Sequence, residues 1–169
     1  MKYWRSLLLM LMFFLSMNSQ AAAWWEQVHF DPQLNQLDGK KATDFNADWV
    51  AASFLSKAQL KKQISFDEYR GFIQSFMSFE KTLDMSNNGQ DEIVRVGVYL
   101  DKHQQRGSFL AIMENGKVVR VFSDAGRGPF SALMVDRGQI RWYHCMDCRD
   151  YADLLWSGNS ERGFVLERD

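Results

Sequence analysis

Two short stretches hold the side chains whose types and spacing could do chemistry. In LDMSNNGQDE, residues 83–92, Asp84, Ser86 and Asn88 present side-chain oxygens at alternate positions. Gly89 follows where a chain must bend sharply, Gln90 offers its backbone carbonyl, and Glu92 adds a second carboxylate. This is the spacing that wraps oxygen ligands around a hard cation such as calcium. In WYHCMDCRDY, residues 142–151, the only two cysteines, Cys145 and Cys148, stand three apart beside His144. Such a pair can close a disulfide, exchange electrons or contribute to a zinc site.

Over nine residues the first stretch resembles the loops of EF-hands and of the calcium-binding repeats in many exported proteins. It departs from the EF-hand plan at the twelfth position, where a bidentate glutamate should close the cage and Arg95 stands instead. Only Asp84 and Glu92 bring charge, so the resemblance implies a weak site, with a dissociation constant of about 10⁻⁴ to 10⁻³ M. The other reading needs no metal. Asp84, Asn87 and Asn88 fold back on the backbone as Asx turns, and Gly89 supplies a positive φ before a strand begins. The expectation is that the chain requires no cofactor, with calcium the candidate ligand of this loop.

For the cysteines, the expectation is an intramolecular disulfide, because the N-terminus directs the chain out of the cytosol. A thioredoxin-like C-x-x-C opens a helix whose N-terminus lowers a thiol pKa. Here the pair lies among expected strands, with Asp147 between the thiols and Asp150 beside them, and negative charge raises a thiol pKa. A zinc site on Cys145, Cys148 and His144 would need His29 or His103 as a fourth ligand. Asp147, Asp150 and Asp153 form a carboxylate cluster that a small hydrolase could use, or the solvated face of a strand. In DAGRGPF, Arg127 could grip an anion from a loop, and Trp142, Tyr143 and Trp156 could be contact aromatics of an interface or core residues. No G-x-S-x-G, H-E-x-x-H or phosphate-cradling glycine loop is present.

The elements that must position these groups begin with a leader. Lys2 and Arg5 precede an apolar run from Ser6 to Met17, and small residues close it at Ala21, Ala22 and Ala23. That is the plan of a secretory signal peptide, residues 1–23, with cleavage after residue 21 or 23. The run is shorter than the roughly 20 residues that span a bilayer as a helix, so stable membrane insertion after cleavage is not expected. Removing residues 1–23 takes Lys2 and Arg5 with it and leaves 146 residues with 18 basic and 21 acidic side chains, a net charge of −3. With mixed charges and no basic stripe, nucleic acid is not an expected partner. Residues 24–169 are read as one domain.

Asp44 as an N-cap, with Trp49, Ala52, Leu55, Ala58, Leu60 and Ile64 behind it, predicts a first helix. Ser65 with Glu68 is a capping box and predicts a second helix running to about Glu80. From residue 92 to about 167, short segments rich in β-branched and aromatic residues alternate with turn signals, Asn115-Gly116 foremost. The expected fold is therefore α+β: two N-terminal helices, within about 44–80, packed on an antiparallel β-meander of six or seven strands, with a curled sheet or half-barrel as variants. The function expected is that of an exported, periplasmic or secreted, non-catalytic module recognising a protein or envelope component, like an inhibitor or immunity protein. A carboxylate hydrolase and a thiol-redox protein are the alternatives.

Overall fold

The computed structural model of the chain describes residues 22–34, 37–126, 128, 130–146, 148–158 and 163–168. The leader run up to Ala21, Arg127 and Asp147 lie outside them. Trp49–Phe54 forms the first strand, β1, in the middle of the expected first helix, and only Lys57–Lys61 behind it is helical. The reason is burial on both sides. Around a bulge at Val50, Trp49, Ala52 and Phe54 enter one apolar cluster, while Leu55 enters another. A strand covered on both faces carries a near-continuous apolar run, whose spacing also fits a helix. Ser56 is the true boundary: its hydroxyl accepts the Gln59 N–H at 3.2 Å, and the Gln59 side chain accepts the Ser56 N–H at 2.9 Å. This second capping box starts the short helix at Lys57.

The Ser65–Glu68 box does start a helix, with reciprocal bonds of 3.3 and 2.8 Å. That helix covers Phe66–Gln74 and then stops, because Phe76 takes a left-handed conformation at φ 61° and the chain turns into a strand at Glu80–Leu83. We number the α-helices α1 (Trp24–Gln27), α2 (Lys57–Lys61) and α3 (Phe66–Gln74). Further strands are β2 (Glu80–Leu83), β3 (Glu92–Asp101), β4 (Arg106–Glu114), β5 (Lys117–Ala125), β6 (Ala132–Asp136), β7 (Gln139–Tyr143), β8 (Tyr151–Trp156) and β9 (Phe164–Glu167). Among the described residues 44% lie in strands and 15% in helices. The fold is mostly β, and the expectation of two helices on one meander is corrected.

The strands divide into two antiparallel sheets. In the first, β1 and β2 pair end to end along one edge of β3, β4 takes the other edge, and β5 follows. Asn115 and Gly116, at φ 50° and 74°, make the expected two-residue turn between β4 and β5. After β5 the chain leaves this sheet and builds a second, β6-β7-β8-β9. A single bridge ties the β2 approach to β6: Ser78 and Leu133 exchange backbone bonds of 2.9 and 2.7 Å.

The larger core unites Val94, Val96, Val98, Leu110 and Ile112 of the first sheet with Ile140, Trp142, Leu154 and Phe164 of the second, closed by Leu60 and Phe72 from the helices. A smaller core covers the first sheet's other face, where Leu37 and Phe45 lie over Trp49, Phe54, Tyr99 and Phe109. Two strand glycines make room for this aromatic layer. Gly97 pairs with Phe109 and Gly107 with Tyr99, and Tyr99 in turn stacks on Trp49 at 4.5 Å.

Candidate binding groove

The segment Val28–Gln33 crosses the end of the first sheet in an extended path without joining it. Val28 and Phe30 turn inward and are buried, while His29 and Asp31 turn outward, the alternation of a strand. Side chains hold it. Gln63 accepts the His29 N–H at 2.8 Å, the buried Ser53 hydroxyl accepts the Gln33 N–H at 2.7 Å, and Arg106 donates to Asp31 at 2.8 Å.

Between this segment and the ends of β3 and β4 lies a groove of about 500 Å³, lined by His29, Phe30, Asp31, Pro32, Val98, Tyr99, Arg106 and Gly107. Its floor is aromatic and aliphatic, and its rim carries one ion pair and one imidazole. Gly107 opens the floor, because a Cβ there would meet the Tyr99 ring. Burial holds the Tyr99 phenol above its ordinary pKa, aided by Asp101 and Asp124 and opposed by a hydrogen bond with Ser123. Tyr99 is thus a neutral hydrogen-bonding floor at physiological pH. Past the segment a second hollow of about 230 Å³ runs on to Gln33, Gln59, Lys62 and Gln63. A concave site of this size, mostly apolar with few polar groups, suits a small ligand or an inserted side chain.

The groove does not use the residues singled out by motif. In the 83–92 loop both Asp84 oxygens accept backbone N–H groups, from Asn88 at 3.1 Å and Gly89 at 3.0 Å. The Asn88 side chain accepts the Gln90 N–H at 2.8 Å, and Glu92, only 1% exposed, turns inward to accept the Met85 N–H at 2.7 Å. Ser86 is half-buried. Among the described residues no three His, Cys, Asp or Glu side chains cluster in a metal-binding arrangement. We expect Asp84→Ala to cost about 1–2 kcal/mol in calcium-free buffer, because two backbone donors lose their acceptor. A loop held by calcium would lose stability on this substitution only with the ion present, so paired melts with chelator and with millimolar calcium separate the two.

Cys145 and Cys148 are within disulfide distance, their Cα atoms 5.8 Å apart, in the loop joining β7 to β8. Among the described residues no helix begins there to supply the dipole that activates a redox thiol. The buried His144 ring lies 4.6 Å from Trp142 and 3.6 Å from Asp124, which also takes Arg168 at 2.5 Å. Asp153 and Asp136 flank Arg141, each at 2.8 Å, and Asp150 is exposed. Of the described members of the aspartate cluster, Asp153 lies on an ion-paired strand and Asp150 in a loop.

Trp142 is fully buried and Tyr143 nearly so; both belong to the larger core. Trp156 is partly buried against Phe164 and, with Met85 and Asn87, lines a shallow hollow of about 290 Å³. Of the groove residues, Tyr99 and Arg106 were marked by no motif, and His29 was named only as a fourth ligand for zinc. Gly97 and Gly107, isolated within strand patterns, are the sequence signal that a backbone or ring approaches closely there.

No protein-family model, curated protein or solved structure matches the chain.

Proposed function

We propose that this chain is an exported, non-catalytic binding module, inhibitor-like or immunity-like, that receives an apolar side chain of an envelope protein in the groove between His29–Pro32 and β3–β4. The observation that carries the reading is the groove itself: about 500 Å³ with an apolar floor, set on a sheet packed on both faces and rimmed by Asp31–Arg106. A rigid scaffold lets a partner bind without ordering the receptor, which removes one of the main costs of association. The exposed Asp31–Arg106 pair contributes little to folding, in the range of about 0–1 kcal/mol, and is free to exchange partners at an interface. Export is supported by the tripartite N-terminus and by the cysteine pair at disulfide distance.

The test fills the groove without touching the core. Capture from an envelope extract with wild type, with His29→Trp and with Asp31→Arg is expected to retain one partner on the wild type and to lose most of it on both variants. Equal capture by all three would place the contact elsewhere.

A further inference from the structure

Helix α3 buries only one side. Phe72 is fully buried, but Phe66 is 73% exposed, Ile73 40% and Phe76 79%. Phe66, Arg70 and Ile73 share the i, i+4, i+7 flank, with the Arg70 guanidinium 5.7 Å from the Phe66 ring centre, and Phe76 follows past the helix end. Phe76 is held out at a cost. It sits one residue beyond the C-cap Ser75 at φ 61°, the position where helices use glycine because a side chain there is strained. A bulky apolar residue that is both strained and in water contributes nothing to this fold that glycine would not do better.

The surroundings are basic. The Lys81 ammonium donates to the Phe76 carbonyl oxygen at 3.1 Å, and the Lys61 ammonium lies 5.9 Å from the Tyr69 ring centre. Lys57, one turn before Lys61 on α2, is close enough to Lys81 that it adds to the effect of burial in lowering the Lys81 pKa. Lys62 follows Lys61. The acidic groups of this region are engaged elsewhere: Asp67 pairs with Arg70, Glu68 with the Ser65 N–H, and Glu80 with Arg95. Among the described residues no carboxylate pairs with Lys57, Lys61, Lys62 or Lys81.

From this juxtaposition we infer that the α2–α3 surface docks peripherally on an anionic lipid bilayer, Phe66, Ile73 and Phe76 entering the headgroup region while Lys57, Lys61 and Lys81 meet lipid phosphates. Exposed aromatics beside unpaired ammonium groups suit that interface, where apolar burial and attraction to anionic lipid add. Among the described residues no helix is long and apolar enough to cross the membrane. It uses none of the groove residues and stands independently of the partner proposed for the groove.

The test is co-sedimentation of the mature chain with vesicles of phosphatidylethanolamine and phosphatidylglycerol, against phosphatidylcholine alone. Binding to the anionic vesicles is expected, with at least about tenfold less to the neutral ones and a steep fall as salt rises, since screening acts on exposed charge. Phe66→Ser with Phe76→Ser should reduce vesicle binding by about 30-fold or more, two buried aromatic rings being lost from the contact. Phe76→Gly carries the sharper signature: weaker vesicle binding together with an equal or higher melting temperature, which excludes misfolding as the cause. Val119→Ser, at an exposed position on β5, should bind vesicles like the wild type. Absence of sedimentation with anionic vesicles, or unchanged binding by the folded Phe variants, overturns the inference and leaves a protein as the occupant of this face.

Discussion

Trp142→Ala is expected to lower the unfolding free energy by about 3–5 kcal/mol, the range for removing a large aromatic from a packed interior. Trp142 is 0% exposed and lies on β7, the strand paired on both sides by β6 and β8. Its indole belongs to the core shared by the two sheets, so truncation leaves a cavity in close-packed surroundings. The loss should appear in urea denaturation as a lower midpoint with an unchanged slope. Trp156→Ala makes the contrast, because that ring is only partly buried, against Phe164 at 4.8 Å near the sheet's edge, and its loss should cost clearly less. Were Trp142 a contact aromatic at an open surface, its substitution would leave the midpoint in place.

Gly97→Ala should be as severe, at about 3 kcal/mol or more, through overpacking instead of a void. A Cβ on Gly97 would overlap the end of the Phe109 ring and stand 2.5 Å from the Ser53 carbonyl oxygen. The ring cannot retreat, since Trp49, Phe54 and Phe45 pack around it at 4.8 to 6.1 Å. Nor can Ser53, whose strand is paired to β3 through Phe54 and Gly97 themselves. Gly107→Ala repeats the conflict, with the Asp124 carbonyl oxygen at 2.5 Å and the Tyr99 ring beyond. Gly71→Ala is the opposite case: exposed on α3 with nothing within 4 Å, it should stabilise the helix by about 0.5–1 kcal/mol. Thermal melts of the three variants together check the strand register, which a Gly97→Ala protein melting like the wild type would contradict.

Local chemistry was the legible part of this fold. Ser65 with Glu68 announces a helix start and Asn115-Gly116 a hairpin, and both are where those residues demand. Ser56 with Gln59 carries the same signature and, read with equal weight, breaks the expected first helix at residue 56. What misleads there is β1 itself. A strand covered on one side by Leu37 and Phe45 and met on the other, at Ser53, by the Val28–Gln33 segment shows no two-residue alternation, and its spacing imitates a helical face. The division of the later strands into two sheets is hidden for a related reason. Short connections specify antiparallel neighbours but not whether the chain, after β5, returns to the same sheet. The groove is the least legible feature, because residues 29–32, 98–99 and 106–107 meet only through tertiary packing. The motif-like loop at Asp84 was easy to find because its spacing is local, and the same locality lets its carboxylate satisfy neighbouring backbone N–H groups.

Site-specific photo-crosslinking in intact cells tests most directly whether this protein works by contact at the groove. With a benzophenone side chain at position 29, and for comparison at Val119 on β5, the account predicts one discrete adduct from position 29, on a chain that has lost its leader, and none from position 119. No adduct at 29, equal adducts at both, or a full-length chain retained in the cytosol would contradict it.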